Sequence, residues 1–78
     1  MNWQKYIHAH PDILVGKPVL RGTRLSVDFI LDLLAAGWKI EQLLESYPQL
    51  TPESIQAIFA FAAENLRDEA FLLLPPTP

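Results

Sequence analysis

Two prolines, Pro48 and Pro52, constrain this chain more than any other feature. A proline pushes the residue before it out of helical geometry, so a helix that reaches Tyr47 must end there. At the first position of a helix, by contrast, proline's missing N–H leaves no bond unmade. Thr51-Pro52-Glu53 therefore reads as a helix start. Threonine caps, proline takes the first helical position, and an acid sits at the positive end of the helix dipole. One helix stops and another begins across Pro48-Gln49-Leu50, which are the dimensions of a helix-turn-helix.

The rest of the helical reading follows from period and caps. Ile40, Leu43, Leu44 and Tyr47 fall at i, i+3, i+4 and i+7, predicting a helix over 40–47. Ser26 is an N-cap, and Val27, Ile30, Leu31 and Leu34 mark one face, broadened by Phe29 and Leu33. Asp28 lies in the first turn and Gly37 supplies a left-handed stop, so this helix covers 27–36. The third helix runs from Pro52 to about Asp68, with Ile55, Ile58, Phe59, Ala62 and Leu66 as its inner face.

Ahead of these helices the chain is punctuated by turn residues. Residues 3–10 suit a short strand or an extended arm, and His10-Pro11-Asp12 is a turn signal. Ile13-Leu14-Val15 is a short β-prone run, Gly16-Lys17 suits a tight turn, and Pro18-Val19-Leu20 suits an edge strand. These predict a hairpin-like platform over 13–25. The expected fold is mainly α: a three-helix, helix-turn-helix-like bundle with a short N-terminal β-hairpin or strand arm. It is read as a single domain over 1–78, divided into an arm (1–25), a helical core (26–69) and a proline-ended tail (70–78).

Size and composition set the partners. A chain of 78 residues, 50% hydrophobic, buries only about 60% of its unfolded surface and has no cysteine to staple it. Association is the remaining source of stability, so a homodimer or larger complex is expected. No apolar run approaches the roughly 20 residues of a membrane span, and the start Met1-Asn2-Trp3-Gln4-Lys5-Tyr6 lacks an apolar signal core. The expectation is a cytoplasmic protein with no membrane contact.

Charge is uneven along the chain. Lys5, Lys17, Arg21 and Arg24 outweigh Asp12 in residues 1–25, for a net +3, whereas residues 26–78 carry −6. Lys17, Arg21, Thr23, Arg24 and Lys39 are the candidate DNA-binding residues, with Gly16 and Gly22 permitting close approach to a phosphate. The competing reading is a solvated surface, or pairing with the acidic helices of the same chain. The third helix offers Thr51, Glu53, Ser54 and Gln56 at its start and no cation before Arg67. It lacks the phosphate attraction that dominates DNA affinity, and is read as structural.

That helix is apolar nearly all round, with Ala57, Ala60, Phe61 and Ala63 off the inner stripe. Such a helix is covered on more than one side. Trp3, Tyr6, Ala57, Phe61 and the tail residues Phe71, Leu72, Leu73 and Leu74 are the candidate protein-interface residues. The alternative is that the tail or Trp3 covers Phe61 within one chain. His8, His10 and Asp12 fall short of a metal ligand set, and surface histidines are the expectation. Asp28 and Asp32 share a face at i, i+4 but read as a polar stripe. No nucleophile–base motif, P-loop or dinucleotide fingerprint occurs, so neither an enzyme nor a cofactor is expected.

Several segments, in order, carry a resemblance. They are Pro11-Asp12-Ile13, Gly16-Lys17-Pro18-Val19, Gly22-Thr23-Arg24-Leu25-Ser26-Val27, Leu34-Ala35-Ala36-Gly37, Tyr47-Pro48-Gln49-Leu50-Thr51 and Ile55. Across residues 11–66 the chain resembles the domain-of-unknown-function family 433, whose members are antitoxin-like proteins. The resemblance implies a homeodomain-like three-helix fold behind an N-terminal strand segment. It also implies pairing with a PIN-like ribonuclease toxin in a type II toxin–antitoxin system of the VapB–VapC kind, with operator binding as a dimer. The runner-up is a protein-binding regulatory or scaffold dimer with no DNA contact. Lys39 departs from the family pattern, standing where many relatives carry a small capping residue, which loosens the expected start of the second helix.

Overall fold

A computed structural model describes residues 1–68. Two-residue strands β1 (Ile7–His8) and β2 (Val19–Leu20) precede helices α1 (Val27–Ala35), α2 (Ile40–Ser46) and α3 (Pro52–Asp68). The fold is mainly helical, as the periodicity requires, with a small antiparallel sheet near the N-terminus. Among the described residues no helix is long and apolar enough to cross a membrane.

Each helix end follows from a local interaction. Ser26 Oγ accepts from the Phe29 N–H at 3.2 Å and starts α1. At the other end Gly37 has φ +100°; its N–H donates to Leu34 and that of Trp38 to Leu33, both at 3.0 Å. That pair of bonds is a Schellman stop, satisfying carbonyls the helix leaves open. Lys39 caps α2 without a side-chain acceptor, and Gln42 Oε1 compensates by accepting the Lys39 N–H at 2.8 Å. The expected looseness at this helix start is thus countered by the third helical residue. At α3, Thr51 Oγ1 accepts from the Ser54 N–H at 3.1 Å, and Ser54 Oγ from the Thr51 N–H at 2.8 Å. Serine here does the work of the usual Glu or Gln in a reciprocal cap.

The strands pair differently from the predicted platform over 13–25. Ile7 faces Leu20 and His8 faces Val19, so the partner of the Pro18-Val19-Leu20 segment lies before the His10-Pro11-Asp12 turn. Ile13-Leu14-Val15 is not a strand. The Ile13, Gly16 and Lys17 N–H groups donate to His10, Ile13 and Leu14, so this run meets its backbone needs in successive turns. Leu14, Val15 and Gly16 all take left-handed φ, at 49°, 56° and 80°, a strained choice for the first two. Turn chemistry around Pro11, Asp12 and Gly16 overrode β propensity here.

The core comprises Ile7, Leu20, Val27, Ile30, Leu43, Leu50, Ile55, Ala57 and Ile58. Tyr6, Leu25, Leu31, Leu34, Trp38 and Tyr47 pack around it. The inner face of α3 is rotated from the predicted one. Ser54, Ile55, Ala57 and Ile58 are buried, while Phe59 is 46% exposed and Leu66 50% exposed. The cause is Trp3, held in a 3-10 turn (Trp3–Lys5), which lies edge-on to Phe61 at 4.9 Å and donates its indole N–H to Glu64. Ala57, predicted at a protein interface, is fully buried and is corrected to a core residue.

Two substitutions on adjacent α3 residues check this rotation. Ile58→Ala is expected to cost about 2–5 kcal/mol in urea unfolding. Phe59→Ser should stay within about 0.5 kcal/mol of the parent, as an exposed position does. Equal losses would restore the face predicted from periodicity.

Candidate functional site

The basic arm is held together by its own hydrogen bonds. Gly22, at φ +77°, turns the chain after β2. Thr23 Oγ1 donates to the Leu20 carbonyl at 2.8 Å and accepts from the Leu25 N–H at 2.9 Å. The Leu20 N–H donates to Leu25 at 2.9 Å, and Val19 bridges to Ser26. The hydroxyl of Thr23 therefore serves the turn, and its place among the DNA-binding candidates is corrected to a structural role.

The arm's cations divide into engaged and open ones. Lys17 Nζ lies 3.2 Å from Asp28 Oδ2, so it meets an acidic helix of its own chain. Arg21 Nε donates to the Gln4 carbonyl at 3.0 Å, tying β2 to the N-terminal turn. Arg24 and Lys39 are exposed and, among the described residues, have no ion-pair partner. Arg24 opens onto a cleft of about 540 Å³ that it shares with His8, Ile13, Gly22, Thr23 and Gln49. Sequence reasoning passed over this cleft, although Pro48 at the corner of a turn was the signal that Gln49 would be displayed.

The Asp28 carboxyl is held below the ordinary carboxylate range, first by the Ser26 hydroxyl and then by the Lys17 ammonium. His10 Nδ1 accepts from the Asp12 N–H at 3.1 Å, so that pair makes a local turn. Among the described residues, no three His, Cys, Asp or Glu side chains converge as a metal site would require.

The candidate interface residues separate in the same way. Trp3, Tyr6 and Phe61 are half-buried against the core of their own chain. Trp3 covers Phe61, which is the intramolecular alternative weighed for that residue. Phe71, Leu72, Leu73 and Leu74 lie outside the described residues. The exposed apolar surface of α3 is instead Phe59, Ala63 and Leu66, at i, i+4 and i+7 on the side away from the core. Val15, 96% exposed on the left-handed turn, is a separate apolar point.

Three helices behind a short β arm, with polar groups on the arm and an apolar outer helix face, define a small, mainly helical fold. A model of the family "Protein of unknown function (DUF433)" matches residues 7–62, and the chain belongs to that family. The uncharacterized protein y4eO of Sinorhizobium fredii (strain NBRC 101917 / NGR234) is 39% identical over 62 residues. That match covers 80% of this chain but 28% of y4eO. The crystal structure of a DUF433 member from Anabaena variabilis ATCC 29413 is similar with a TM-score of 0.76 at 28% identity. It covers 83% of this chain and 64% of that one.

Asp28 gives a pH-dependent check. Its lowered pKa stabilises the fold above the unfolded value of about 3.9, and that contribution is lost as pH falls through the folded value. Lys17 and Asp28 are both more than half exposed, so the effect is small and screened by salt. Asp28→Asn should be slightly less stable than the parent at pH 7, with the two melting curves merging at acid pH once the carboxyl is protonated in the folded state. A difference that persists at that pH assigns the loss to something other than the carboxylate.

Proposed function

We propose that this chain is an antitoxin-like interaction module that binds a PIN-like ribonuclease toxin of a type II toxin–antitoxin pair and performs no catalysis itself. The observation that carries the reading is the outer face of α3, where Phe59, Ala63 and Leu66 stand exposed opposite the core. A helix apolar on both sides is built to be covered twice, and the described residues of its own chain cover it once. The family resemblance supplies the kind of partner. A homodimer or higher oligomer would use the same face.

Operator DNA is the weaker part of the reading. Of the DNA-binding candidates, Lys17 is paired with Asp28 and Arg21 bonds the Gln4 carbonyl, so Arg24 and Lys39 are the cations open to phosphates among the described residues, on a chain of net charge −3. This favours, as the second reading, a protein-binding regulatory or scaffold dimer with no DNA contact. Promoter-fragment binding that weakens steeply with salt, with a shallower slope in Arg24→Ala, supports operator contact.

The toxin reading is tested by co-expression with a PIN-like ribonuclease encoded beside the gene. The chain should copurify with it and relieve growth arrest. Phe59→Asp should abolish both while leaving the helical circular dichroism unchanged. Absence of a complex with the intact chain overturns the proposal.

A further inference from the structure

The cleft beside Arg24 is assembled from four separate segments, three of which bring its polar groups. His8 belongs to β1 and is set by pairing with Val19. Arg24 lies on the turn locked by Thr23 and by the Leu20–Leu25 bond. Gln49 occupies the tight turn between α2 and α3, where the Leu50 N–H donates to the Tyr47 carbonyl at 2.9 Å. Pro48 presets that turn and buried Leu50 anchors it. The lining residues thus bring a guanidinium, an imidazole and a carboxamide to the cleft, with the Thr23 hydroxyl already bonded within its turn and Ile13 as the apolar member. Among the described residues, no carboxylate lines it.

The geometry points to a site for a single carboxylate, presented by an acidic segment of a partner protein. Arg24 offers a planar fork of N–H donors matched to a carboxylate, and Gln49 adds a neutral donor. Lys17 is paired with Asp28, Arg21 bonds the Gln4 carbonyl, and neither lines the cleft, which leaves Arg24 as the one lining cation among the described residues to balance one negative charge. A nucleic-acid backbone fits the surroundings poorly. A run of phosphates needs several cations in line, and among the described residues Arg24 is the one cation lining this cleft, on a chain of net charge −3. An isolated carboxylate entering the cleft meets only the guanidinium and hydrogen-bonding groups that line it. This site lies on the arm and the α2–α3 turn, so it stands whether or not the outer face of α3 binds a toxin.

The test is amide chemical-shift titration of the full chain with three probes. They are a capped pentapeptide holding one central glutamate, the same peptide with glutamine, and inorganic phosphate. The glutamate peptide should shift the amides of His8, Gly22, Arg24 and Gln49 in a saturable way. The glutamine peptide should bind about tenfold more weakly or worse, as loss of a charge-assisted bond predicts. Arg24→Gln, at an exposed position, should keep the rest of the spectrum and lose the response; Gln49→Ala should weaken it. Equal shifts with glutamine, an undiminished response in Arg24→Gln, or a stronger response to phosphate than to the glutamate peptide overturns the assignment. So does a cleft that responds to none of the three.

Discussion

The clasp between Trp3 and α3 decides the arrangement of everything else. Its indole N–H donates to Glu64, and its ring meets the edge of Phe61, joining positions 61 residues apart. An aromatic pair of this geometry contributes about 0.5–1.5 kcal/mol beyond the area it buries. Its larger effect is directional. By occupying the Phe61 and Glu64 side, the N-terminal turn makes that flank of α3 internal and leaves Phe59 and Leu66 outside. The same turn receives Arg21 through the Gln4 carbonyl, so β2 is fixed relative to α3 by one short segment.

The engagement of the arm's charges follows from that closure. Once β2 lies against the helices, Lys17 comes within 3.2 Å of Asp28. A sequence count of +3 over residues 1–25 is then not the charge the surface presents. An ion pair between two exposed side chains is worth little in stability. It still lowers the field a distant polyanion would feel, since opposite charges this close partly cancel beyond a Debye length of about 8 Å. Arg24 differs because, among the described residues, the Thr23 turn presents it without an ion-pair partner, which is what the proposed carboxylate site requires.

What was legible in the sequence was the part set by near neighbours. Ser26, Gly37 and Thr51-Pro52 place the helix boundaries because a cap or a stop acts over four or five residues. The family resemblance, too, was carried by these punctuating residues. The strand partnership of Ile7–His8 with Val19–Leu20 was hidden, since a two-residue strand shows no period and pairs across an intervening loop. The inner face of α3 was misplaced for a related reason. With Ile55, Ile58, Phe59 and Phe61 on one apolar helix, period alone admits more than one face, and a residue near the N-terminus made the choice. Of the candidate site, Arg24 was legible as a charge, while His8 and Gln49 were brought to it by nonlocal pairing and by a turn.

The two faces of α3 also bind stability to recognition. Ile55, Ala57 and Ile58 on one side close the core, and Phe59 and Leu66 on the other side are exposed, the face on which the proposed partner would sit. Whatever covers the outer face favours the helical state of the same residues that the core requires. A partner at a hundred times its Kd adds about 2.7 kcal/mol to folding, a large fraction of what a domain this small possesses. A chain built in this way is most stable when occupied and most vulnerable when alone. That dependence follows from using one helix for both purposes, and it requires no conformational switch.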